Sequence, residues 1–290
     1  MEQKIKTINY GFKPPVITPD NYIFGGGNVP QIVLQPNSDW TDYLPEKEKQ
    51  NINFETYNCV SFGTLSAIEV LMFRLFKEKV NYSDRFVGIM AGTKEGGNDP
   101  NTICEAIRKH GLIPEEMLPY SEDLKNIDEY YSFKGANKDD CTKAGQEWLS
   151  KYEFLHEYVF SPNEPIDQKI KKIILSLQFT ILGVSVEAWI LDERGIYIRL
   201  GQENHWTVAY NQKQFTGIFD TYEPFLKMAE QNFSYVKRFH IARKEEAKKE
   251  EAKKNDTFYP PKEKETNWVL DLIKVFWLAF VELLKKLFKK

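Results

Sequence analysis

The chain has 290 residues, 42% hydrophobic and 14% aromatic, enough apolar mass for one large core or two small ones. With 39 Lys and Arg against 42 Asp and Glu, the net charge is −3, so nothing global argues for a nucleic-acid partner. The three cysteines cannot all pair, no zinc-ligand spacing occurs, and Met1–Tyr10 lacks the apolar core of a secretory signal. These features predict a cytoplasmic protein without metal or cofactor.

In chain order, residues 1–38 read as an extended arm, because Pro14, Pro15, Pro19, Pro30 and Gly25-Gly26-Gly27 forbid long regular elements. The arm is expected to be a strap on the domain surface. Glu55-Thr-Tyr-Asn-Cys59-Val-Ser-Phe-Gly63 then runs into Leu65, Ile68, Leu71, Met72, Leu75 and Phe76, the pattern of a helix over 59–78. Helices are also expected at 83–90 and 99–110, with Cys104 in the core and Cys141 exposed in a polar run. Residues 152–160 alternate like a strand, and Pro165 opens a helix. Strands follow at 179–187, 205–211, 215–221 and 233–243. A helical half followed by an antiparallel half predicts an α+β fold of two lobes with a cleft between them.

Three residues carry the chemistry. Unpaired N–H groups and the positive end of the dipole at a helix mouth favour a thiolate at Cys59. His205 opens a strand and can serve as base, and Asp220 ends the next strand, where it can orient the imidazole. Taken singly, a buried apolar cysteine and a satisfied core histidine are the commoner readings. The order of nucleophile, base and orienter is what raises the catalytic one. His110, His156 and His240 have no such context and read as structural.

Further motifs fall in the same order. Asp39-Trp40, Gly96-Gly97, Gly111-Leu-Ile-Pro-Glu115, Leu118-Pro-Tyr120, Asn204-His205 and Asp220-Thr-Tyr222 resemble, in sequence, the landmarks of papain-like cysteine peptidases across residues 39–242. The resemblance implies the papain-like two-lobe fold, acyl transfer by Cys59, His205 and Asp220, and substrate backbone pairing at Gly96 and Gly97. It also implies that Tyr222 shields the His205–Asp220 hydrogen bond from water. Departures are plain: the family's Cys-Gly-Ser-Cys-Trp signature is missing, and its oxyanion-hole glutamine falls on Asn53. Gln50, slightly earlier, is the alternative donor. The expected function is a cysteine peptidase or amide hydrolase acting on proteins or peptidoglycan peptides. A catalytically inactive papain-like binding module, recruited to a membrane or partner, is the competing expectation.

After the peptidase-like region, 39–243, the composition changes. Residues 244–266 form a charged spacer ended by Pro260-Pro261, and 267–290 read as an amphipathic helix. Its lysine stripe and wide aromatic face suit an anionic membrane surface or a partner helix, giving peripheral membrane association. Its longest uncharged run, Val275–Val281, is far too short to span a bilayer.

Overall fold

Helix α1, Cys59–Phe76, is the axis of the structure, and its buried face takes in Leu65, Ile68, Leu71 and Met72. Each such side chain stabilises the fold by about 1.5–3 kcal/mol when fully buried. A computed structural model of the chain describes residues 10–18, 21, 30–187 and 190–245. The helix ends where Lys77 turns left-handed, at φ 62°, and its N–H returns to the Phe73 carbonyl.

Against α1 pack α2 (Asp84–Met90) and α3 (Pro100–His110); α4 (Ile127–Tyr130) and α5 (Lys138–Lys151) follow, α5 lying on α3. Side chains start most of them. Ser83 accepts from the Phe86 N–H, Asp99 from Asn101 and Thr102, and Asn137 from Asp139 and Asp140. Arg85 is buried and donates to the carbonyls of Tyr130 at 2.6 Å and Ser132 at 2.7 Å, pinning the loop around α4 to α2.

The second lobe is a seven-stranded sheet in the order β1-β7-β2-β4-β5-β6-β3. Its strands are β1 (Tyr152–Tyr158), β2 (Leu182–Val186), β3 (Ile196–Tyr197), β4 (His205–Gln212), β5 (Thr216–Phe219), β6 (Leu226–Ala229) and β7 (Val236–Arg243). All pairs are antiparallel except β3–β6. Helix α6 (Ile166–Phe179) joins β1 to β2. The expected α+β, two-lobe architecture is therefore present. The chain between the arm and α1 ties the lobes: the Trp40 indole N–H donates to Leu177 on α6 at 2.8 Å, and Arg74 on α1 donates to Leu34 at 2.6 Å.

One expectation needs correction. Cys141 is buried, not exposed, because residues 138–151 form a helix and Cys141, Gly145 and Trp148 share its inner face. The polarity of Lys138–Lys143 belongs to the first turn, where Asp139 and Asp140 suit the helix dipole. The boundary between compact units falls at Lys244/Glu245. The expectations for most of the 244–266 spacer, and for the 267–290 helix, fall on 246–290, outside the described residues.

On the side of α1 facing α2, four carboxylates meet. The buried Glu69 accepts from the Tyr82 N–H at 2.9 Å, Glu48 from Asn81 at 2.6 Å and Glu115 from the Tyr120 N–H at 2.8 Å. Asp84 on α2 completes the group. Burial first, and mutual repulsion second, push Glu69 and Asp84 well above the carboxylate range; burial pushes Glu115 up to about 8. The folded state therefore holds protons that the unfolded chain has released. For Glu115 the resulting loss of stability accrues as pH rises from about 4.5 to about 8 and is complete above that. Urea midpoints at pH 4 and pH 9 should show Glu115→Gln flattening this decline, with little change at pH 4. An unchanged slope would mean that Glu115 does not hold the proton.

Candidate active site

Cys59 opens α1 with no exposed surface. The preceding Asn58 does not cap the helix; its amide donates instead to Asp84 O and Tyr130 Oη, both at 2.9 Å. No side chain therefore closes the helix mouth, and first-turn N–H groups face the position where negative charge would develop. The backbone N–H groups of Trp206 and Val60 favour the Cys59 thiolate, which places the sulfur near the start of β4.

His205 begins β4, fully buried. Its Nε2 meets Asp220 Oδ1 at 2.7 Å, and its Nδ1 has no hydrogen-bond partner among the described residues. Asp220 follows β5, which pairs with β4 in the register Val208↔Phe219 and so brings the carboxylate back to the histidine. Burial alone would raise the Asp220 carboxyl, but His205 and Lys227 hold it well below the usual range. Tyr222 lies edge-on to the His205 ring with centroids 5.4 Å apart, a position suited to excluding water.

The structure separates the two oxyanion candidates. Gln50 is buried: its Oε1 accepts from Thr221 Oγ1 at 2.9 Å, and its Nε2 donates to Glu55 Oε1 at 2.7 Å and to the Tyr10 carbonyl at 3.1 Å. Asn53 is exposed and directed elsewhere, donating to Leu124 O at 3.2 Å. Glu55 is the residue that sequence reasoning passed over. Beyond Gln50, it accepts from the Tyr57 N–H at 3.0 Å and from the Tyr222 hydroxyl. Its place before Cys59 was the only hint. Lys227 and Tyr197, both on Asp220, were missed as well.

The expectation of a surface strap fails at residues 10–13, which run between the lobes. Asn98 donates to Gly11 O at 2.8 Å and accepts from the Lys13 N–H at 2.9 Å, while the Tyr10 N–H reaches Asn204 O at 3.3 Å. Phe12 is 2% exposed and stacks on Trp206 at 5.9 Å. Gly96 and Gly97, at φ 85° and 83°, supply the left-handed backbone of this contact. A Cβ on Gly97 would overlap the Gly11 carbonyl.

The strap covers the site. Burial first, then the negative charges of Glu55 and Asp220, push the Cys59 thiol well above its ordinary value, against the helix dipole.

No family model matches the chain, and no curated protein matches it. Among solved structures it is similar to xylellain, a cysteine protease from Xylella fastidiosa, with TM-score 0.56 and 13% identity over 82% of this chain and 97% of that one. It is also similar to the Carica candamarcensis cysteine protease CMS1MS2, solved with E-64, at TM-score 0.50 and 12% identity, covering 69% of this chain and 95% of that one. Against the proform of the ragweed pollen cysteine protease Amb a 11, the TM-score is 0.47 at 13% identity over 69% of this chain, which spans 64% of that protein. The first two likenesses establish a distant papain-like fold.

Gly97→Ala should expel the strap, since the added methyl meets backbone and the left-handed conformation adds about 1–3 kcal/mol of strain. Limited chymotrypsin digestion should then cut after Tyr10 or Phe12 at least several-fold faster while the rest of the domain resists. Unchanged cleavage would show that the strap does not depend on this contact.

Proposed function

We propose that the chain is a cysteine peptidase or amide hydrolase, held latent by its own residues 10–13. The observation that carries this reading is the state of His205: Nε2 is committed to a buried carboxylate, and Nδ1 is left unpartnered next to the strand residue that binds the Cys59 sulfur. An imidazole so oriented can accept a proton from Cys59 and return it to a leaving amine.

Once the strap leaves, water and substrate replace its backbone at the thiol, and His205 takes the proton as Cys59 attacks the substrate carbonyl. The Gln50 amide now donating to the Tyr10 carbonyl would donate to the tetrahedral oxyanion, with the Cys59 backbone N–H as second donor. Collapse of that intermediate expels the amine, protonated by His205, and water then hydrolyses the thioester. Protein or peptidoglycan peptides fit this chemistry as substrates. The buried, uncharged thiol also favours the competing reading of an inactive binding module, and the same experiment decides between them. Membrane association through 267–290 rests on the sequence pattern; anionic vesicles should pull down the full chain less in high salt.

Phe12→Asp places a charge in an apolar seat and should release the strap. A peptide epoxide at neutral pH should then alkylate Cys59 at least tenfold faster than in the parent chain, and far faster than Cys104 or Cys141. His205→Ala should abolish that selectivity. In the released form, Gln50→Ala should keep alkylation but lower turnover by about 10²–10³. If all three cysteines react alike after release, the binding-module reading wins.

A further inference from the structure

The geometry points to Lys227 as a positioning residue: it pairs with Asp220 on the side away from His205, so that the imidazole is oriented by a carboxylate whose charge is already offset. This inference rests on the peptidase reading of Cys59, His205 and Asp220.

The two Asp220 oxygens are divided. Oδ1 accepts from His205 Nε2 at 2.7 Å and from the Thr221 and Tyr222 N–H groups at 2.6 and 3.3 Å. Oδ2 accepts from Lys227 Nζ at 2.6 Å and the Tyr197 hydroxyl at 2.8 Å. With both oxygens held, the carboxylate plane is fixed, and so is the imidazole on it. Lys227 lies on β6, whose residues alternate outward and inward, and it points inward with Ala229. Its ammonium is buried against the Tyr222 carbonyl at 3.1 Å and the face of Tyr197 at 5.1 Å.

A neutral amide in place of Asp220 could orient the ring with no counter-ion. A carboxylate cannot do so here without adding a second negative charge to a dry site that already contains Glu55. The groups shown against His205 are Asp220 just after β5, Tyr10 from the strap and Tyr222, while Cys59 lies by the neighbouring Trp206 and Glu55 acts through Tyr222. Without Lys227, Oδ2 of the buried carboxylate would lose its cationic partner and the site would carry a second uncompensated charge. Lys227 thus fixes the carboxylate on which the His205 ring is oriented.

The test follows the His205 ring signals by NMR in full-length, isotope-labelled protein, with urea midpoints measured alongside. Lys227→Met should shift the ring signals at neutral pH, because the carboxylate that orients the ring loses its second partner. Lys227→Arg should keep them near the parent positions. Asp220→Asn should strand a buried cation and lower the urea midpoint, and adding Lys227→Met should restore it. Unmoved ring signals in Lys227→Met overturn the proposal. Should that variant not fold, the double substitution decides: a midpoint above that of Asp220→Asn alone supports the pairing, and an equal or lower one overturns it. Neither readout needs turnover, so a Cys59 inert to electrophiles would count against the peptidase reading alone.

Discussion

The close approach of α1 to β4 at Gly63 is the constraint on which the site depends. A Cβ there would lie 3.0 Å from the Trp206 ring and 3.2 Å from the Thr207 Cα, so only a bare backbone lets the helix sit this low on the strand. Cys59 is one helical turn earlier on the same face, and this descent brings it to the first residues of β4, where His205 begins. The Trp206 indole needs a second concession at Gly183, where a Cβ would lie 2.5 Å from the ring. Phe12 stacks on that ring as well. Helix, strand and strap therefore converge on one aromatic side chain, and the position of Cys59 is a consequence of how that side chain is packed.

Much of this was legible because it rests on periodicity and order. Leu65, Ile68, Leu71 and Met72 announced α1, the alternation from His205 announced β4, and Cys59, His205 and Asp220 stood in a meaningful sequence. What escaped notice depended on contacts made across the fold. Residues 138–151 hid a helix because its inner face carries only Cys141, Gly145 and Trp148, too few apolar residues to show a stripe beside seven charged or amide ones. Lys227 carries no signal of its own, since nothing local tells that its strand turns that position toward Asp220. The choice between Gln50 and Asn53 could not be made from spacing, because loop length does not say which amide folds inward; Thr221 and Glu55 make that choice.

The strap's energetics explain why residues 10–13 are better described as a plug than as core. Seating Phe12 stabilises the closed form by about 1.5–3 kcal/mol. Four hydrogen bonds, from Gln50 to Tyr10, Tyr10 to Asn204, Asn98 to Gly11 and Lys13 to Asn98, add roughly 0.5–1.5 kcal/mol each. Against this, ordering four backbone residues costs about 1–2 kcal/mol apiece. The two sides nearly balance, so closure persists mainly because the strap is tethered and its local concentration is high. On the latent-peptidase reading, a free peptide that makes the same backbone contacts must overcome this tethering advantage. On that reading, opening also rehydrates Cys59 and removes the burial that disfavours its thiolate.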